Sequence, residues 1–170
     1  MQWPAITGAY RFLHNAQPGV YDRPPREGSL PVQLAVPLAD ILRGHTTTPD
    51  RCWLGFWNGF AWSRDNPWQA STFDVPNRSY LLFVGPVQAA AQLYGGRMEQ
   101  SPNLWWPDDR AWCVATEIDL NSTYVGCSDA CCDAIAAAPE LEALPIDPRT
   151  GISSDSDTVN PAPARGTWQG

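Results

Sequence analysis

Residues 51 to 63, RCWLGFWNGFAWS, restrict the possible fold of this chain more than any other segment. Successive side chains of a β-strand point to opposite faces of the sheet, so this segment would present large apolar side chains on both faces. A strand that is apolar on both faces belongs in the middle of a sheet. One face would take Cys52, Leu54 and Phe56, and the other would take Trp53 and Trp57.

The dipeptide Asn58-Gly59 follows this strand and is a strong signal for a tight hairpin. In such a turn Gly59 would adopt a positive φ, which a residue without a side chain tolerates. Residues 64 to 78 are polar and contain proline, and we interpret them as a long loop. The central strand is therefore expected to turn back directly after Asn58-Gly59.

Hydrophobic periodicity and capping residues predict three helices and two further strands. The helices are placed between Ser29 and Gly44, between Gly85-Pro86 and Gly95-Gly96, and between Ser128 and Pro139; the strands are placed at 79 to 84 and 111 to 119.

This order of elements predicts an α+β fold, with a mainly antiparallel sheet and about three helices packed on it. Residues 1 to 144 are expected to form a single domain, because the length suits one hydrophobic core. Residues 145 to 170 are acidic and rich in proline, with little to bury, and predict a flexible tail.

The charge of the chain limits its partners and its chemistry. The formal net charge is −7, which argues against binding to nucleic acid or to anionic membrane surfaces. All 11 basic residues are arginine, so mechanisms that need a lysine are excluded. Neither a phosphate-binding GxxxxGK[ST] motif nor a GxGxxG motif occurs, and no cofactor is expected.

The cysteine content and the lengths of the apolar runs indicate the cellular compartment in which we expect the protein. Five cysteines, an odd number, suit a reduced cytoplasmic protein better than a disulfide scaffold. No apolar run approaches the roughly 18 residues of a membrane-spanning helix. The first 15 residues lack the charged leader and apolar core of a secretory signal. We therefore expect a cytoplasmic protein.

The segment SPNLWWPDDRAWCVATEID, residues 101 to 119, carries the candidate binding residues. If Trp105 and Trp106 lie in an extended segment, one faces the core and the other faces solvent or a cleft. Asp108 and Asp109 are predicted to form a turn beside the exposed indole. Together they would form a surface for a basic or cationic partner.

Glu117 and Asp119 are two residues apart on the predicted strand 111 to 119, so they would share one face about 7 Å apart. Such a pair is compatible with binding a partner, holding a divalent metal or serving as acid and base. Ion pairing with arginine is the commoner role, and Arg78, Arg97 and Arg110 are available.

Cysteine and histidine leave two further alternatives open. Cys127, Cys131 and Cys132 cluster at the start of the last predicted helix, where they are compatible with core packing, a zinc site or a reactive thiol. His14 and His45 are the only imidazoles, so histidine acid–base chemistry would fall to one of them. No metal is expected, since zinc usually takes paired cysteine knuckles and this chain has one cluster.

Three motifs, RCWLGFWNGF, RSYLLFVGPVQAA and SPNLWWPDDRAWCVATEIDLNSTYVG, resemble a group of short, Trp-rich bacterial proteins with no assigned activity. The order of elements is also loosely similar to that of SMI1/KNR4-type immunity domains, which are acidic α+β proteins that bind partner toxins. The resemblance implies a binding role and transfers no catalytic residue.

The sequence as a whole favours a cytoplasmic, non-enzymatic protein-binding module, immunity- or regulator-like, that uses an acidic and aromatic surface. One alternative is a small hydrolase built on Glu117, Asp119, Asp108 and a histidine. Another is a zinc-stabilised domain that uses Cys127, Cys131 and Cys132.

Overall fold

The computed structural model describes residues 26–63, 68–92 and 100–152. Within them the chain forms a six-stranded antiparallel sheet and two α-helices, all inside one compact unit, Pro25–Pro145. The α+β class with a mainly antiparallel sheet is therefore confirmed. The elements are α1 (Val32–Arg43), β1 (Cys52–Trp57), β2 (Ser71–Val75), β3 (Arg78–Gly85), β4 (Leu104–Pro107), β5 (Cys113–Thr116), β6 (Thr123–Gly126) and α2 (Asp129–Ala136).

The strand order is β2-β3-β1-β4-β5-β6, so β1 lies in the interior of the sheet, as its two apolar faces predict. β1 pairs with β3 on one side and with β4 on the other, both antiparallel. Cys52, Leu54 and Phe56 are buried, while Trp53 and Trp57 on the opposite face are half-buried. We call these two faces of the sheet the inner face and the outer face.

The prediction of a tight hairpin at Asn58-Gly59 is wrong. These residues do form a turn, but it leads into a short 3-10 helix, Ala61–Ser63, and not into a strand. Gly28 is the glycine with a positive φ in the described part of the chain, and Gly59 does not share that conformation. The sequence signal therefore identified the turn correctly but misassigned the element after it.

The tight hairpin of this sheet lies instead at Pro76-Asn77, which joins β2 to β3. Proline suits the first central position of a type II turn, and the φ of 65° at Asn77 suits the second. β2 falls inside the segment interpreted as a loop, so that interpretation is corrected. β2 is an edge strand with four of its five residues exposed, and burial therefore leaves little trace in its sequence.

The described residues contain two α-helices and not about three. The segment after Gly85-Pro86 forms a 3-10 helix, Val87–Ala91, because Gln92 is already extended and leaves room for little more than one turn. The predicted helix end at Gly95-Gly96 lies outside the described residues. No helix in the described part is long and apolar enough to cross a membrane.

The hydrophobic core lies between the inner face of the sheet and the helices. α1 contributes Ala35, Leu38, Ala39 and Leu42, and it continues through Pro37. Pro31, and not Ser29, is the N-cap of α1. The hydroxyl of Ser29 instead accepts a hydrogen bond from the backbone N–H of Ser101 at 3.2 Å.

The predicted tail, residues 145 to 170, lies largely outside the described residues. The part that is described, residues 146 to 152, is exposed and carries a local ion pair between Arg149 and Asp147. Flexibility of the tail stays a prediction.

Candidate binding surface

Trp105 and Trp106 point to opposite faces of the sheet because they are neighbours in β4. Trp105 is 1% exposed and packs edge to face on Trp112, with ring centroids 5.4 Å apart. Trp106 is half-buried on the outer face. The one-in, one-out arrangement is as predicted for an extended segment, which is strand β4. Trp105 therefore belongs to the core, and Trp106 remains as a binding candidate.

Trp53 on β1 and Trp106 on β4 lie directly opposite each other in the antiparallel register. Directly opposed side chains on one face have Cβ atoms about 5 Å apart, so the two indoles are neighbours. Both are half-buried on the outer face. The sequence placed Trp53 on this face but did not pair it with Trp106.

Asp108 fixes the orientation of Trp53. The Trp53 indole donates a hydrogen bond from Nε1 to Oδ1 of Asp108 at 2.9 Å. Arg51 approaches the same oxygen with Nε at 3.5 Å, and its guanidinium carbon stands 5.7 Å from the centroid of the Trp53 ring. The side chain of Asp108 is still 42% exposed. We call Arg51, Trp53, Trp106 and Asp108 the tryptophan patch.

Phe73 on β2 supports the patch from the side. Its ring packs edge to face with Trp106 at 5.7 Å and stacks on Tyr80 at 5.2 Å. It reaches Trp106 across β3 and β1 because Gly55 leaves room beneath it: a Cβ atom on Gly55 would lie 3.0 Å from the Phe73 ring. Sequence reasoning missed Phe73 because it placed the segment in a loop.

Asp109 is occupied by contacts within the protein. Its carboxylate accepts hydrogen bonds from the hydroxyls of Thr46 and Thr47 at 2.8 and 2.7 Å, and from the backbone N–H groups of Thr47 and Ala111 at 2.7 and 3.1 Å. Desolvation acts to raise its pKa, but the hydrogen bonds from Thr47, Thr46 and Ala111 together outweigh it and hold the pKa at about 2. Asp109 therefore clamps the loop after α1 to the turn after β4.

Glu117 and Asp119 follow β5, which ends at Thr116. The prediction that they share one face of a strand is therefore wrong. They meet instead at Arg78, which donates from Nε to Glu117 at 3.0 Å and from an Nη atom to Asp119 at 2.6 Å. Glu117 also accepts the backbone N–H of Asp119. Ion pairing with Arg78, one of the sequence alternatives, is the observed role.

The two carboxylate pairs lie at opposite ends of β5. Asp108 and Asp109 precede this strand and Glu117 and Asp119 follow it, so the strand's four residues alone separate them by about 13 Å. His45 is next to Thr46 in sequence and so belongs to the Asp109 end. His14 lies outside the described residues. The structure thus does not bring His45 together with Glu117.

The cysteines give little support to thiolate or metal chemistry. Burial raises the pKa of Cys131 to about 12, and a hydrogen bond with Cys127 acts in the same direction. Burial likewise raises the pKa of Cys52 to about 12. In the described ranges no three Cys, His, Asp or Glu side chains are grouped so that they could hold a metal ion.

Comparison of the chain with protein-family models found no match, and comparisons with curated proteins and with solved structures found none either.

Proposed function

We propose that this protein is a non-enzymatic, cytoplasmic protein-binding module that captures a basic partner through the tryptophan patch. The observation that carries the proposal is the pairing of Trp53 and Trp106 on the outer face, with the carboxylate of Asp108 held at their edge. Its role is immunity- or regulator-like, in that one small acidic protein occupies a surface of another.

The chemistry of the patch suits a protein partner. Tryptophan and arginine are the residues that most often dominate the energy of protein interfaces, especially when they are already held in place. Trp53 is held by Asp108 and Arg51, and Trp106 is held by Phe73, so little side-chain entropy remains to be lost on binding.

The charge of the molecule favours a basic partner. The net charge of −7 attracts a positively charged protein at long range and speeds its association. The same charge disfavours nucleic acid. All five cysteines are free thiols, which supports a reducing compartment such as the cytoplasm.

The experiment begins with affinity capture from the source cells on immobilised protein. A captured protein is identified by mass spectrometry, purified and titrated against wild type by calorimetry. We expect Trp106→Ala to weaken its binding at least tenfold, which is about 1.4 kcal/mol. We also expect binding to weaken as salt is raised, because a basic partner is attracted electrostatically.

The matched control is Trp68→Ala, which removes an indole that is exposed and is not part of the tryptophan patch. Circular dichroism establishes that both variants are folded. The patch would not be the binding surface if the partner bound Trp106→Ala as tightly as wild type. The same conclusion would follow if Trp68→Ala weakened binding as much as Trp106→Ala does.

A further inference from the structure

A second aromatic cluster lies apart from the tryptophan patch, where β3 extends past its pairing with β2. β2 pairs with β3 only as far as Leu82, so Phe83 lies beyond the last pair. A cleft of about 340 Å³ opens there, lined by Leu54, Phe56, Trp62, Trp68, Phe83 and Ala89 among others. Its walls are largely apolar and aromatic.

Four rings of this cleft form a closed circuit of edge-to-face contacts. Phe56 meets Trp62 at 5.8 Å, Trp62 meets Trp68 at 5.5 Å, Trp68 meets Phe83 at 6.0 Å, and Phe83 returns to Phe56 at 5.7 Å. We call these four residues the aromatic box. Trp68 is 51% exposed and so marks its open side.

The box contains a polar atom without a partner. Nε1 of Trp62 is buried and, among the described residues, is the one buried side-chain nitrogen or oxygen with no hydrogen bond. Buried indole N–H groups usually have an acceptor, as the Trp112 N–H does in the carbonyl of Leu42. Trp62 therefore lines the cleft and carries an unsatisfied donor.

We propose that the aromatic box is a binding site for a small, neutral, planar aromatic molecule that carries a hydrogen-bond acceptor, and that the acceptor receives the Trp62 N–H. Because Nε1 is out of contact with solvent, the indole must turn towards the cleft as the ligand enters. The site is independent of the proposed protein partner.

Size and charge define the class of ligand. A cavity of about 150 Å³ is enough for benzene, so a cleft of about 340 Å³ accommodates a fused two-ring molecule. None of the described lining residues is charged, so an ionic ligand would lose its hydration without gaining a counter-ion. Once the indole has turned, its N–H would present a partial positive charge to the ligand, which favours an acceptor over a cation.

The test compares three probes of nearly the same shape on the full chain. Quinoline has a ring-nitrogen acceptor, naphthalene has none, and N-methylquinolinium is a cation. We expect quinoline to bind about five to ten times more tightly than naphthalene, and N-methylquinolinium to bind most weakly. In ¹H–¹⁵N spectra the indole resonance of Trp62, assigned by its loss in Trp62→Phe, should move downfield with quinoline alone.

Trp62→Phe keeps an aromatic ring but removes the N–H donor together with the five-membered ring, so it should abolish the preference for quinoline while naphthalene still binds, more weakly than to wild type. Trp68→Ala should weaken both neutral probes, and Leu144→Ala, at an exposed residue outside both the box and the tryptophan patch, should change neither. Equal binding of quinoline and naphthalene by wild type, absence of binding, or a quinoline preference that survives Trp62→Phe would overturn the proposal. None of these outcomes depends on the protein partner.

Discussion

The indole ring of Trp57 occupies the space where a side chain at position 59 would begin. A Cβ atom built on Gly59 would overlap the Cζ2, Cη2 and Cε2 atoms of Trp57. Trp57 in turn packs edge to face on Phe60 at 5.2 Å. Glycine is required at 59 because a neighbouring ring lies against it, and not because the turn needs a positive φ.

Gly59→Ala is therefore expected to destabilise the protein by about 1–3 kcal/mol, since the Trp57 ring must leave its site or the turn must shift. Urea unfolding followed by tryptophan fluorescence measures the change. Gly44→Ala is the matched control: Gly44 has an ordinary helical φ of −73°, and its Cβ would have normal contacts, so stability should change little. Equal losses in the two variants would show that the Trp57 overlap is not the cause.

The adjacent tryptophans of β4 should respond differently to the same substitution. Trp105→Ala removes a fully buried ring and should cost about 3–5 kcal/mol, and Trp112→Ala, which removes its partner ring and the bond to Leu42, should cost a similar amount. Trp106→Ala should cost less, because its ring is only half-buried. Equal destabilisation by Trp105→Ala and Trp106→Ala would place both rings in the core and remove the tryptophan patch.

Strong local signals made part of this fold predictable. The buried face of β1 followed from strict alternation of apolar side chains, and the end of α1 followed from Gly44. β2 was missed because an edge strand with mostly exposed side chains has almost no hydrophobic pattern. β4 was missed because its last residue, Pro107, and the acidic turn after it resemble a loop.

The candidate site was predictable only as far as local alternation reached. The opposite orientations of Trp105 and Trp106 were predictable because the two residues are neighbours in one strand. The pairing of Trp106 with Trp53 depends on strand order, and the support from Phe73 depends on an edge strand two positions beyond β1. The clamp formed by Asp109 joins residues more than 60 positions apart, and no local pattern indicates it.

The ion pairs of Arg78 should contribute little to stability. Arg78 bonds to Glu117 and Asp119, but the Asp119 side chain is 73% exposed, so water and salt screen the attraction. We expect Arg78→Gln to lower the free energy of unfolding only slightly, with the loss shrinking as salt is raised. Arg26→Gln, at an exposed arginine, is the control. A larger, salt-independent loss would mean that Arg78 holds the ends of β3 and β5 together.

The clamp formed by Asp109 predicts how stability depends on pH. Hydrogen bonds from Thr47 and Thr46 outweigh desolvation and hold its pKa at about 2, below the ordinary value of 3.8. A carboxylate whose pKa is lower in the folded state stabilises that state fully above its unfolded pKa. This contribution should be intact near neutral pH and should disappear as the pH falls from about 4 to about 2.

Asp109→Asn keeps one acceptor oxygen and removes the charge, so it should destabilise the protein at pH 6 and by progressively less towards pH 2. Urea midpoints measured for wild type and variant across this range give the difference directly. Asp133→Asn, at an exposed aspartate of α2, should show a small difference that changes little over the same interval. If the wild-type and Asp109→Asn curves stay parallel down to pH 2, then the charge of Asp109 does not strengthen the clamp and the four hydrogen bonds are no stronger than neutral ones.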